Sequence, residues 1–168
     1  MSILQEHISA EEKKIWQLLQ TVVDPEIPVL AITDLGIVRS VELYPLSAGE
    51  GWGGAVIITP TYSGCPAMDA ISIDIKLKLL EHGYKKIKIT SVLSPAWTTD
   101  WMTEEGKIKL NAYGIAPPQY SKAETAVIKC PQCHSSNTKL LSQFGSTACK
   151  ALYQCNECKE PFDYFKCH

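Results

Sequence analysis

Residues 66–83 read PAMDAISIDIKLKLLEHG, and the period of this stretch decides the fold. Ile71, Ile73, Ile75, Leu77 and Leu79 alternate with polar residues, which is the period of a strand, while Met68, Ile71, Ile75 and Leu79 also share one helical face. The length of the run, Pro66 at a first-turn position and a stop at Gly83 favour the helix. On its N-terminal side lies a hairpin pattern: a strand over residues 36–43, a turn over 49–54, and a partner strand over 55–59 stopped by Pro60. A third strand is expected at residues 86–93. Upstream, Ser9-Ala-Glu-Glu12 has capping-box spacing before an apolar helical face (Ile15, Leu18, Leu19, Val22), and Asp24-Pro-Glu-Ile-Pro28 ends that helix. Residues 99–113 carry a further helical pattern, weakened by Gly106 and ended by Gly114 and Pro117. Helix, hairpin, helix and strand in this order predict an α+β domain, a small mixed sheet packed by helices.

Residues 117–126 (PPQYSKAETA) are small, polar and proline-bearing, and the domain boundary is expected there. The division is therefore a first domain over residues 1–116, a linker over 117–126, and a small all-β module over 127–168. The 168 residues are 45% hydrophobic and 20% charged, as in a globular rather than a disordered chain. A net charge of −2 provides no field that would attract nucleic acid or an anionic membrane. No leader and no membrane-spanning run is readable in the sequence, so the expected location is cytoplasmic.

A reducing location changes how the seven cysteines are read, because metal or catalytic thiols become more plausible there than disulfides. Cys130-Pro-Gln-Cys133 and Cys155-Asn-Glu-Cys158 are two C-x-x-C pairs separated by 21 residues. Each pair can grip an ion from a tight turn, and together they supply four thiolates in the pattern of a zinc ribbon. Four thiolates also hold a single iron. Cys130 to His134 matches the haem-attachment pattern C-x-x-C-H, but the second pair has no place in that reading, and His134 is expected to be a bystander. Cys149 reads as a packing residue or a substitute ligand, and Cys167 as an exposed thiol.

Cys65 stands apart as the only cysteine of the first domain. Were the helix to start at Pro66, Cys65 would hold the N-cap, where free N–H groups and the dipole favour a thiolate. Gly64 lets a ligand or partner approach. The competing reading is a small buried residue, and the residues alone leave both open. Asp24 and Glu26, between and beside two prolines, are held rather than mobile; they can polarise a thiol, bind a metal or cap a turn. One of Trp97 and Trp101 is expected in the core, the other being free to meet a partner.

Residues 24–28 (DPEIP), 34–38 (DLGIV) and 59–66 (TPTYSGCP) together resemble the MIP18-type domain of iron–sulfur assembly proteins. Residues 94–101 (SPAWTTDW), 111–118 (NAYGIAPP), 144–153 (FGSTACKALY) and 160–166 (EPFDYFK) are similar to one branch of it, the PaaD (or PaaJ) family of phenylacetate degradation. The resemblance covers nearly the whole chain, ribbon included. It implies a MIP18-type fold followed by a zinc ribbon. It also implies an accessory role in maturing the multicomponent monooxygenase that epoxidises phenylacetyl-CoA. The implied client is the [2Fe–2S] reductase subunit, with the di-iron oxygenase subunit second and the general iron–sulfur assembly machinery as a further partner. The cysteine implicated in cluster handling falls on Cys65, and the motif's carboxylates fall on Asp24 and Glu26.

The expectation is a factor that is not itself an enzyme, holding a structural zinc at Cys130, Cys133, Cys155 and Cys158 and an iron–sulfur cluster or iron transiently at Cys65. Since one thiol cannot hold a cluster alone, Cys65 is expected to share it with a second subunit; a homo-oligomer is expected, and a dimer could bring two Cys65 residues together. The alternative is a direct oxygenase subunit or a thiol-dependent enzyme, which lacks a readable acid–base partner. Nucleic-acid binding is not expected: from residue 121 onward six lysines face four acidic residues, a net of +2, too little to track phosphates.

Overall fold

The computed structural model describes residues 3–47, 50–119 and 127–166. The chain divides into two compact units, Met1–Trp97 and Thr98–His168.

The first unit contains α1 (Ile3–Leu19), β1 (Val38–Pro45), β2 (Trp52–Ile58), α2 (Ala67–Glu81) and β3 (Lys86–Ser91). The strands form one sheet in the order β1-β2-β3, antiparallel between β1 and β2 and parallel between β2 and β3. A parallel pair needs a crossover, and α2 supplies it. Residues 67–81 are thus helical, burying Ala67, Met68, Ile71, Ile75 and Leu79. Ile73 and Leu77, which completed the alternating pattern, are 58% and 53% exposed. Apolar residues on both sides of one helix made its period ambiguous. α1 begins at Ile3, so the capping-box spacing at Ser9 falls inside the helix and does not mark its start. Ile15 and Leu19 of α1 are fully buried, and α1 packs on β1 and α2. The Tyr84 hydroxyl donates to Glu11 Oε2 at 2.6 Å and ties the α2–β3 turn to α1.

In the second unit the expected helix over 99–113 is broken. A 3-10 turn (Thr99–Trp101) is followed by extended backbone at Met102, and α3 (Glu104–Ala112) starts afresh. Thr103 caps it, its Oγ1 accepting the Gly106 N–H at 3.0 Å, so Gly106 sits in the first turn rather than mid-helix. β4 (Ile115–Ala116), β5 (Thr138–Ser142), β6 (Lys150–Cys155) and β7 (Pro161–Phe165) follow. They form a sheet in the order β4-β7-β6-β5, parallel between β4 and β7 and antiparallel elsewhere. Ala116, Ile128, Cys130, Ala151, Cys155, Phe162 and Tyr164 make its core, with Tyr153 stacked on Phe162. Backbone pairing with β7 therefore brings Ile115 and Ala116 into the C-terminal sheet. Of the proline-bearing stretch 117–126, residues 120–126 lie outside the described residues, as does Cys167. Among the described residues no helix is long and apolar enough to cross a membrane.

Candidate functional site

In the first unit the backbone of residues 22–32 folds into a closed loop. Ile32 N–H donates to Val22 O at 3.0 Å, and Asp24 N–H to Leu30 O at 2.9 Å. Inside it the Asp24 carboxylate is buried, and its Oδ1 accepts the N–H groups of Glu26 at 2.7 Å and Ile27 at 2.8 Å. Pro25 and Pro28 have no N–H to offer, so the two donors between them are the ones Asp24 takes. Asp24 thus does what the most modest of its sequence readings asked of it and caps a turn. Glu26 is half-buried beside it.

The second loop, residues 59–66, leaves β2 and enters α2. Thr59 N–H donates to Ile37 O at 2.9 Å, which pins the loop to the start of β1. Gly64 has φ +79°, a left-handed conformation, and a side chain added there would meet nothing within 4 Å. That glycine turns the chain while leaving the space beside Cys65 open.

Cys65 is half-buried. The N-cap of α2 is Pro66, not Cys65, and Cys65 O instead accepts the Met68 N–H at 3.2 Å. Burial pushes the Cys65 thiol above its ordinary value of 9.0, against the N–H of Ala67 and the hydroxyl of Tyr62, which both donate to the sulfur; the charges of Glu26 and Asp24 then raise it further. Burial and the two carboxylates therefore oppose the helix-end thiolate, one of the two readings that the residues alone left open. The two loops do bring Cys65, Glu26 and Asp24 within electrostatic reach of one another. Tyr62, which sequence reasoning missed, is the side chain that hydrogen-bonds the sulfur. Its only sequence signal is its place three residues ahead of the cysteine.

The ribbon site is built from two matching turns. Cys130 N–H donates to Ser135 O at 3.0 Å, and Cys155 N–H to Glu160 O at 3.0 Å. The residue after each pair is left-handed, His134 at φ 60° and Lys159 at φ 68°. The turns bring the sulfurs of Cys130, Cys133, Cys155 and Cys158 to within 4.8 Å of one another, and His134 stays outside the set. Cys130 Sγ lies 3.7 Å from Cys158 Sγ, and Cys133 Sγ lies 3.5 Å from Cys155 Sγ. A zinc–sulfur bond of about 2.3 Å puts the edges of a tetrahedral four-sulfur shell at about 3.8 Å, so the cage fits the ion.

Burial opposes ionisation of Cys155, but the N–H groups of Cys158 and Glu157 and the neighbouring thiols outweigh it and bring the thiol down to about 7. Cys158 also receives an N–H, from Glu160, yet burial and the Cys133, Cys155 and Cys130 sulfurs push it up to about 12. Four thiolates this close need a cation among them. Cys149 is buried outside the cage, its Sγ 3.0 Å from Thr147 Oγ1, which is the packing role. Trp97 is the core tryptophan, donating its Nε1–H to Leu35 O at 2.8 Å.

Comparison with known proteins follows this division. Residues 115–166 match the family described as "PaaD zinc beta ribbon domain", and residues 12–89 the family described as "Iron-sulfur cluster assembly protein". Over 157 residues the chain is 49% identical to a protein of Escherichia coli that is provisionally named as a subunit of 1,2-phenylacetyl-CoA epoxidase, covering 92% of each. It is 37% identical over 102 residues to a "Fe-S protein maturation auxiliary factor" of Porphyromonas gingivalis, covering 59% of this chain and 90% of that protein. Among solved structures, a domain of unknown function, DUF59, from Bacillus anthracis superposes with a TM-score of 0.55 at 28% identity, covering 63% of this chain and 96% of that one.

Proposed function

We propose, from the premise that this chain belongs to the PaaD family, that it is a non-catalytic maturation factor delivering iron–sulfur cluster or iron to the phenylacetyl-CoA epoxidase. The client is the [2Fe–2S] reductase component, and the cargo arrives from the general assembly machinery of the cell. The first unit handles the cargo, and the second, with its zinc-held ribbon, docks the client.

The observation that carries this reading is the setting of Cys65. It is the only thiol of the first unit, beside a left-handed glycine that leaves its surroundings open. Its proton is retained by burial and by Glu26 and Asp24. An arriving iron cation reverses that balance, because its charge offsets both carboxylates and favours the thiolate. When the iron leaves, the proton returns. Such a ligand grips weakly and lets go, which suits transfer rather than storage. One thiol leaves the remaining cluster positions to a second copy or to the client. Asp24 shapes the site by fixing the turn that presents Glu26.

The test is Cys65→Ser in a strain making the epoxidase components, with the visible and EPR spectra of the reductase as readout. The reductase should emerge largely without its cluster, while the ribbon of the variant keeps one metal per chain. Full cluster content beside the serine variant would sink the proposal. The name carried by the Escherichia coli relative favours a second reading, a working subunit of the oxygenase. Sustained turnover by purified, fully loaded oxygenase components lacking this chain would dispose of that second reading.

A further inference from the structure

In the four-stranded ribbon sheet, β5 is an edge strand. Its pairing with β6 slips once: Leu140 faces Tyr153 and Ser142 faces Leu152, so Leu141 is an extra residue. A bulge breaks the in–out alternation of a strand and re-aims the side chains around it. Here Lys139, Leu140 and Leu141 are all exposed in succession, the two leucines by 42% and 49%. Phe144 just beyond is 66% exposed, with the Lys166 ammonium 4.6 Å from its ring centre. Lys166 Nζ also donates to Gln143 O at 3.0 Å, which holds it at this edge. Three large apolar side chains within five residues, on a module this small, form a patch rather than scattered exposure.

The charge around the patch is one-sided. Residues 138–146 (TKLLSQFGS) contain a lysine and no acidic residue, and Lys166 adds a second positive charge. The carboxylate of Asp163 is already engaged, by Lys150 at 3.8 Å and by the Ser146 hydroxyl at 3.0 Å. A second copy brought to this edge would add two more lysines and no acidic residue from the stretch 138–146, which is unfavourable. The bulge in turn spoils the regular ladder that an added strand would need.

We propose that Leu140, Leu141 and Phe144, framed by Lys139 and Lys166, are the docking surface for an acidic, apolar-bearing segment of the client protein. The leucines and the phenylalanine ring supply the buried anchor, and the two lysines orient the segment and accelerate encounter. This rests on the reading of the ribbon as a client-docking module and names the residues that do the docking.

The experiment titrates the purified reductase component against the full-length chain, comparing wild type with L141D/F144D and with K139E. The aspartate pair should weaken binding at least tenfold. K139E should weaken it less and flatten its dependence on salt. Cobalt loaded into each variant should give the same thiolate-to-metal bands as wild type, which shows that the ribbon has folded. Unchanged binding by a folded L141D/F144D chain overturns the docking surface. Absence of any binding between the wild-type chain and the reductase overturns it as well. If the aspartates only convert an oligomer into a monomer, the patch joins copies of this chain and the proposal fails. The maturation reading fails separately, through the reductase spectra of the Cys65→Ser strain, so the two outcomes are distinguishable.

Discussion

Replacing Asp24 separates a structural carboxylate from a metal ligand. Its Oδ1 accepts two backbone N–H groups, from Glu26 at 2.7 Å and Ile27 at 2.8 Å, and the side chain is buried. In Asp24→Ala both donors are stranded. Leaving a buried donor unpaired costs about 1–3 kcal/mol, and the half-buried Glu26 N–H recovers part of this through water, so the pair sums to about 2–5 kcal/mol. In Asp24→Asn an amide oxygen still accepts both bonds, and only the charge assistance is lost, about 1 kcal/mol. Each kcal/mol moves the melting temperature of a unit of this size by about 4–8 °C. Thermal unfolding followed by circular dichroism should therefore show the alanine variant melting roughly 8 °C or more below wild type. The asparagine variant should lie within roughly 8 °C of it. Equal losses in the two variants, or none in either, would refute the turn-capping role. A stable asparagine variant that fails to mature the reductase would instead make the Asp24 charge itself part of the cargo site.

Other expectations follow from the two thiol environments. Stripping the ribbon with a strong chelator should abolish amide-exchange protection in β5 to β7, since structural zinc contributes about 10–16 kcal/mol in small zinc modules; protection that survives the loss of metal would refute the cage as the ribbon's anchor. Acid should do the same, because protons compete with the ion for thiolates. Alkylation of Cys65 by iodoacetamide should rise with pH to a midpoint above the ordinary 9.0. Glu26→Gln should move that midpoint down by removing a like charge, and Tyr62→Phe should move it up by removing a donor. The reverse order would refute the assignment of neighbours around the sulfur.

The sheet and α2 were legible because turn residues and apolar periods bracket them, and the metal cage because C-x-x-C spacing is itself the ligand geometry. Other features depend on partners distant in sequence. The break at Met102 follows from Thr103 capping Gly106, a competition between two helix starts that a continuous period hides. The raised Cys65 thiol follows first from burial and then from the charges of Glu26 and Asp24 far upstream in the sequence, and no local pattern around the cysteine reveals either. The local signals there, a helix start and a neighbouring glycine, pointed to a lowered value. Asp24 and Glu26 looked alike in the sequence, and only the folded loop distinguishes the one that holds the backbone from the one left beside the thiol. The apolar edge of the ribbon depends on the slip in pairing between β5 and β6, which the order of residues along β5 does not mark.

The short β4 has a practical consequence for dissecting the chain. Ile115 and Ala116 run parallel to Asp163 and Tyr164 of β7, and Ala116 sits in the ribbon core. A fragment begun at residue 127 would uncover the β7 flank and trade an edge made safe by pairing for one that is sticky and open to aggregation. A fragment begun ahead of Thr103 keeps that strand together with the capped helix that leads into it. Fragments cut on either side of Ile115 should therefore differ in solubility far more than their difference in length suggests.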